Sequence, residues 1–564
     1  MPEPKLILDL VYEHEAARAD EVFLTQPVGG GKVVNFTWRE TLGQARRMAA
    51  HLLSLGFEPG ARFAMLAKNS AHFFMVDLAV WMAGGTTVAI FPTETAENVR
   101  YVLEHSEASL LFVGKLDTWA QQRGALPAGL PCIVLPLAPA ACFDVPGFEA
   151  WDAIVARTPP LQGRLQRHAD DIALLLYTSG STGQPKGVMQ TFGSISHVAQ
   201  ALVESVDAQF SADTVHRVLS YLPLAHAYER ACVECTALAR GRTQIFFTES
   251  LATFMDDLKR ARPTFFLSVP RLWAKFQQGV LAAMPAAQLD ALLDNPATAP
   301  MVRKKVLASL GLDEVVQAGS GSAPIAAELI HWYRRLGLNL LEGYAMTEDF
   351  CMSHRSNAEA HLPGYVGVPY PGVQVRVADD GELLIKSPGQ MLGYYKRPDL
   401  NAECFTADGF FHTGDLGEYN ADGLLKITGR KKELFKTAKG KYVAPAPIEN
   451  RLNVHPMVEL SMVSGPGQPA AYAVLVLDEN LRPKLGDAEV RARVDAALAQ
   501  LLHQVNEGLA PHECLQMLVV AREPWSIENG CLTPTMKIKR SRIEAMLAER
   551  LQDWYAAPGP VVWA

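Results

Sequence analysis

The 564-residue chain has no excess of basic residues: 52 Lys and Arg stand against 60 Asp and Glu, a net charge of -8. That balance argues against general affinity for nucleic acid, and any anion site must be local. No uninterrupted apolar segment approaches the ~20 residues of a membrane span. The first residues, MPEPKLILDLVYEHEAARADE, put acids where a secretory leader needs a basic region, and the apolar run Leu6 to Leu10 is short. A cytoplasmic setting is expected. Cysteine is sparse and irregular, eight in all, which does not make a disulfide framework. The one CxxC, Cys232 to Cys235, lies on a helical pattern without a second Cys or His pair at ligand spacing, so it reads as buried or half-buried thiols and not as zinc or redox chemistry. Internal repeats and long low-complexity tracts are also missing.

With 49% hydrophobic residues, the chain can build two or more cores. Residues 40 to 170 alternate amphipathic helical stretches (TLGQARRMAAHLLSLG, AENVRYVLEHSE) with short apolar strands (ARFAML, TVAIF, SLLFVG, PCIVLPL), the pattern of parallel sheet flanked by helices. The rhythm continues through TQIFF, TFMDDLKRARP, TFFLSV, VRKKVLASLG, EVVQAG and IAAELIHWYRRLG to about residue 350. Then Asp380-Gly381 and Asp422-Gly423 each separate alternating runs, predicting two β-hairpins. Beyond the basic cluster GRKKELFKTAKGK a last region has its own helices and strands. The expected division is 1–430, with a hairpin-rich subdomain at about 350–430, and 431–564.

The stretch YTSGSTGQPKGV, Tyr177 to Val188, follows the apolar run Ile172 to Leu176. A Gly/Ser/Thr loop at a strand end lets N–H groups and hydroxyls converge on an anion, and Lys186 adds a full charge. The Walker string GxxxxGK followed by Ser or Thr is absent from the chain, so a Walker-type phosphotransferase fails at the spacing. Gly/Ser/Thr clusters are ordinarily just loops. Here four more strings follow in order: YLPLAHAYER from Tyr221, GYAMTE from Gly343, DGFFHTGDLGEYNADGLLKITGRKKELFKTAKGKYVAP from Asp408 and LTPTMKIKR from Leu532. Together they closely resemble the motif set of the acyl-adenylate-forming, AMP-binding superfamily, over roughly residues 30 to 545. LPLAHAYER, RPTFFLSVPRLWAKFQQGV, KGKYVAPAPIEN and NGCLTPTMKIKR are most like long-chain fatty acyl-CoA synthetases.

The resemblance implies an α/β fold: a large N-terminal domain of helix-flanked sheets, a small β-barrel-like subdomain, and a small mobile α+β C-terminal domain. It implies ATP, Mg2+ and CoA as co-substrates and cofactor, a fatty or other carboxylic acid as substrate, and no nucleic-acid partner. A carboxylate is a poor electrophile, and bringing it to ATP joins two anions, so cations, a metal ligand and a nucleotide clamp are required. By resemblance Thr178, Ser179, Gly180, Ser181, Thr182, Gly183 and Lys186 hold the β- and γ-phosphates, and Glu348, with Thr178, holds magnesium. Thr347 touches phosphate. Tyr344, within Glu342, Gly343 and Tyr344, stacks on adenine above the turn Gly319, Ser320 and Gly321. Asp415, expected at a tight turn, takes the ribose hydroxyls with Ile427 and Arg430 nearby. His226 lines the acyl pocket beside the carboxylate. Lys537 is the catalytic lysine, Lys432 the hinge, and Gly440 borders the CoA thiol arm, where a thin chain passing close to backbone leaves no room for a side chain. One departure is Ala345, where the superfamily commonly has Gly; a positive φ there would strain alanine.

Seven basic residues between Lys426 and Lys441 face one acid, Glu433, a concentration that suits ATP and CoA phosphates although such runs are usually solvated faces. The leading expectation is an AMP-forming fatty acid–CoA ligase. An adenylating enzyme that loads an acyl or aryl acid onto a separate carrier protein is the alternative. A non-catalytic acyl or nucleotide-binding module is the third, disfavoured because Lys186, Glu348, Asp415, Arg430 and Lys537 are all present. Chain length, peripheral contact with a membrane, and a monomer or homodimer are left open.

Overall fold

The computed structural model describes residues 5–178, 184–210, 213–357 and 360–564. Its centre is an eight-stranded sheet in the order Gly393–Tyr394, Lys186–Thr191, Ile172–Thr178, Thr86–Ile90, Arg62–Leu66, Leu110–Val113, Cys132–Val134 and Phe148–Ala150. From Ile172–Thr178 outward to Phe148–Ala150 the strands run parallel. Strands covered on both faces read as continuous apolar runs, and Thr86–Ile90 and Leu110–Val113 are buried at every residue. The helix Trp38–Ser54 covers this core through Leu42, Ala45, Met48, Ala49 and Leu52, at helical spacing. Its start is fixed by a capping box in which Thr37 and Glu40 each accept the other's backbone N–H.

A second sheet runs Phe265–Ser268, Gln317–Ser320, Leu340–Tyr344, His354–Arg355 and Val368–Pro369; a third runs His216–Ser220, Thr243–Phe247, Val22–Pro27 and Val33–Thr37. Both expected hairpins form, and their strands build a four-stranded antiparallel sheet, Gln374–Val377, Glu382–Lys386, Phe411–Tyr419 and Leu425–Arg430. After Arg430 the chain makes a separate sheet of Val458–Ser464, Ala471–Leu477, Leu515–Val520 and Val561–Trp563. Alternation along Ala471–Leu477 serves two cores: Ala473, Leu475 and Leu477 pack with the helix Ala488–Glu507, while Tyr472, Val474 and Val476 pack with Trp525, Ile543 and Trp554.

The segment Tyr221–Arg240 is pinned by a buried cluster of one guanidinium, Arg230, and two carboxyl groups, Asp77 and Glu234. Arg230, without solvent exposure, donates to both oxygens of Asp77 and, at 2.7 Å, to Glu234. Removing one partner of such a set leaves an uncompensated buried charge and costs about 3–5 kcal/mol. Next to it Glu229 accepts from Ser220 Oγ at 2.7 Å and the Tyr221 N–H at 3.1 Å, and burial pushes its carboxyl up to about 8. The last two residues of YLPLAHAYER are therefore an anchor that fixes His226. Cys235 is buried and Cys232 half-buried on the π-helical turn Arg230–Cys235. No helix among the described residues is long and apolar enough to cross a membrane.

Candidate active site

The stretch Tyr177 to Val188 joins two strands and not a strand to a helix: Ile172–Thr178 pairs antiparallel with Lys186–Thr191, and Thr178 and Lys186 are register partners. Ser179, Gly180, Ser181, Thr182 and Gly183 lie outside the described residues. Lys186 Nζ stands 5.0 Å from the centre of the Tyr394 ring, and the Tyr394 hydroxyl donates to Glu348 Oε1 at 2.7 Å. Glu348 sits in the single turn Thr347–Asp349, which follows the strand Leu340–Tyr344. Gln190 Nε2 donates to the Thr347 carbonyl at 3.0 Å, tying that turn to the strand that begins at Lys186. Thr178, Thr347 and Glu348 are half-buried, open enough to meet a ligand.

Asp415 corrects an expectation, for it lies within the strand Phe411–Tyr419, paired with Arg430 and next to a register shift at Leu416/Gly417, and not in a tight turn. Its carboxylate accepts from the Tyr344 hydroxyl at 2.7 Å and Arg430 Nε at 2.8 Å, and its N–H donates to Thr413 Oγ1 at 3.0 Å. Burial raises two nearby acids. Glu342, bonded to the Gly364 N–H at 2.9 Å, is pushed up to about 8 by burial, which withdraws its charge from the site. Asp349 is raised to about 7 by burial and the neighbouring Glu348. Gly343 pairs with Arg355 across the strand edge, and half-buried Ile427 pairs with Gly417 without a polar contact.

The turn Gly319, Ser320 and Gly321 meets Tyr228: a Cβ on Gly321 would stand 3.3 Å from Tyr228 Cζ, so the glycine is needed for that close approach. Ser320 Oγ is buried with no partner among the described residues. His226 caps the short helix Ala227–Glu229, accepting the Tyr228 N–H on Nδ1 at 3.1 Å. Burial and the nearby Lys537 charge push the imidazole down to about 4, so the ring is neutral in use. Ala345 has no positive φ, which removes the strain expected of alanine there.

Lys537 brings the C-terminal part to the same cleft. Its ammonium is lowered by desolvation first and then by Arg430, against the opposing pull of Asp415, Glu348 and Glu433. The side chain itself retains solvent contact, as expected at the mouth of a cleft between two packed units. Lys537 is held by its backbone alone, the N–H donating to Thr533 Oγ1 at 3.1 Å and the carbonyl accepting from the Thr533 N–H at 2.8 Å. Within the basic cluster, Lys431 is already paired with Asp380 at 2.6 Å and Glu382 at 3.0 Å, whereas Lys432, Lys439 and Lys441 are exposed. Gly440 has a φ of 76° with only Lys436 Cε within 4 Å of a hypothetical Cβ, so in this arrangement the backbone and not crowding requires glycine.

Two site residues escaped the sequence reading, Tyr228 and Tyr394. Tyr228 stood inside a quoted motif but was overshadowed by His226. Tyr394, in MLGYYKRP, had no signal beyond the preceding glycine.

The profile of a family described as AMP-binding enzyme matches residues 12–395. A long-chain-fatty-acid–CoA ligase of Mycobacterium bovis is 31% identical, with 97% of this chain and 96% of that protein covered. Long-chain-fatty-acid–CoA ligase 1 of Homo sapiens is 29% identical, with 90% and 80% covered. Among solved structures, the adenylation domain of a carboxylate reductase from Mycobacterium chelonae superposes with a TM-score of 0.83 at 23% identity, covering 99% of this chain and 92% of that one. An anthranilate CoA ligase in complex with anthranoyl-AMP gives 0.77 at 20% identity, covering 98% and 99%. The fold is that of adenylate-forming enzymes, α/β with several sheets.

Proposed function

The chain belongs to the AMP-binding enzyme family, and from that premise we propose that it is an AMP-forming acid–thiol ligase that activates a fatty acid, long-chain by preference, and transfers it to CoA. The observation that carries the reading is the convergence on one cleft of a charged ribose clamp (Asp415 with Arg430), a carboxylate and cation pair (Glu348 and Lys186), and a lysine from the far part of the chain (Lys537).

In this reading Asp415 accepts both ribose hydroxyls, exchanging the Tyr344 bond for them, and Tyr344 is freed to face the adenine. Lys186 and the Gly/Ser/Thr loop hold the β- and γ-phosphates, which leave as pyrophosphate. Lys537 lies against the α-phosphate and the attacking carboxylate, where negative charge is concentrated as the acyl–AMP bond forms. Neutral His226 seats the carboxylate without competing for its charge. Glu348 fits a magnesium site: one oxygen takes the Tyr394 hydroxyl, the other takes no hydrogen bond among the described residues, and a single carboxylate beside phosphate oxygens is this ion's usual donor set. Magnesium bound there would neutralise phosphate charge.

Residues 431–564 then turn about Lys432, withdrawing Lys537 and bringing the segment around Gly440 to the acyl-adenylate for thiol attack by CoA. AMP is released in this second step. The test is AMP release with CoA over saturated acids from short to long chain, repeated with an aromatic acid and with a carrier protein as acceptor. Rising activity with chain length on free CoA is expected; activity on aromatic acids alone, or only with the carrier, would overturn the fatty acid–CoA reading.

A further inference from the structure

One side chain stands between the two charged groups assigned to the phosphates and the metal. Tyr394 is 6% exposed; its ring face carries Lys186, with Nζ 5.0 Å from the centroid, while its hydroxyl donates to Glu348 Oε1 at 2.7 Å. The surroundings fix that ring in place. Gly393 and Tyr394 pair with Met189 and Val188, just past Lys186 on the same strand. The Asn401 side chain grips Tyr394 twice, Oδ1 accepting its N–H at 2.7 Å and Nδ2 donating to its carbonyl at 3.1 Å. Gly393, at φ 146°, allows this grip, because a Cβ there would stand 2.9 Å from Asn401 Nδ2. Two residues earlier the Met391 N–H donates to the Glu348 carbonyl at 2.7 Å, so the same strand end also holds the backbone of the carboxylate.

Opposite charges brought this close in a partly desolvated cleft attract strongly, and a direct Lys186–Glu348 pair would remove both from service. An aromatic face satisfies an ammonium without neutralising it, and a phenolic O–H orients a carboxylate while leaving its charge intact. We propose that Tyr394 is a positioning residue which keeps Lys186 and Glu348 apart and aims each at the magnesium–polyphosphate. This rests on the reading of Lys186 and Glu348 given above.

The experiment uses the whole 564-residue chain with Tyr394→Phe, which keeps the ring and loses the hydroxyl, and Tyr394→Leu, which loses both. Carboxylate-dependent pyrophosphate exchange is measured against free magnesium, and equilibrium binding of α,β-methylene-ATP with manganese is measured without acid, so that one readout is independent of turnover. Tyr394→Phe should raise the magnesium needed for half-maximal exchange by ~10-fold, the size of one lost hydrogen bond to a charged group, with kcat at saturating magnesium near the parent's. Tyr394→Leu should weaken analogue binding further, by roughly another 5-fold for the lost cation–ring contact. A Tyr394→Phe protein with unchanged magnesium dependence and analogue affinity overturns the proposal. So does a kcat loss that is equal at every magnesium concentration, which marks a merely structural role. Glu348→Gln and Lys186→Ala separate the two claims: if they impair binding and exchange while Tyr394→Phe does not, only the Tyr394 proposal falls, whereas if they too are silent the reading of the site itself fails.

Discussion

Asp415 and Lys537 face one cleft from opposite sides and are held in opposite ways. Asp415 is buried in a strand, takes donors from Tyr344 and Arg430, and bonds its own N–H to Thr413. Lys537 has no hydrogen bond or ion pair from its ammonium to any described residue, and its segment belongs to a unit with separate cores. Two of the ion pairs that dock this unit on the rest of the chain come from one helix, Pro270–Ala283: Arg271 to Glu459 at 2.5 Å and Lys275 to Glu479 at 3.6 Å, with both basic side chains about half exposed or more. Pairs of this kind contribute only ~0–1 kcal/mol each. Asp415 is therefore held in place, while Lys537 opposite it is tethered weakly, which on the proposed reading would suit a site that performs two half-reactions in turn.

The contrast can be broken at either end. Lys537→Ala should reduce acyl-adenylate formation by ~100-fold or more, as for loss of a charged transition-state stabiliser, while thioester formation from supplied acyl-AMP survives. Equal loss in both half-reactions would remove the distinction between clamp and cation. Asp415→Asn should act on binding, raising KM for ATP by ~10-fold, the value of a hydrogen bond to a charged group, and leaving kcat less affected. The pH profile should then separate the two residues. Because Lys537 is lowered from the usual lysine range, it is charged below its shifted pKa, and adenylation should fall as pH rises through that value. Lys537→Arg, charged throughout, should flatten this alkaline limb, and His226, already neutral above about 4, should add no inflection near neutrality. The smallest effect belongs to Arg271→Ala, which should change the balance between half-reactions by less than ~5-fold, favouring thioester formation, as measured by single-turnover rates.

The parallel sheet and both hairpins were legible because their signals are local: apolar runs at strand length and Asp-Gly turns. The helix Ala71–Met82 was not, since all twelve of its residues are buried and it has no polar face to set a period. Asp415 was assigned to a turn because HTGDLG has turn composition, yet Gly414 with a φ of 71° and the register shift let the strand continue past it. The charged members of the site could be named from ordered motifs. Tyr394 could not, because its role depends on an antiparallel pairing with Val188 across about 200 residues, and nothing in GYYK announces that neighbour.

The central claim is that a carboxylate oxygen attacks the α-phosphorus of ATP and that the thiol then takes the acyl group. Supplying a fatty acid labelled with oxygen-18 in its carboxylate, with ATP and CoA, tests this directly by mass spectrometry of the nucleotide product. The account predicts AMP carrying one labelled oxygen per turnover and unlabelled pyrophosphate. Label in inorganic phosphate with ADP as the product would place the attack at the γ-phosphorus and contradict it.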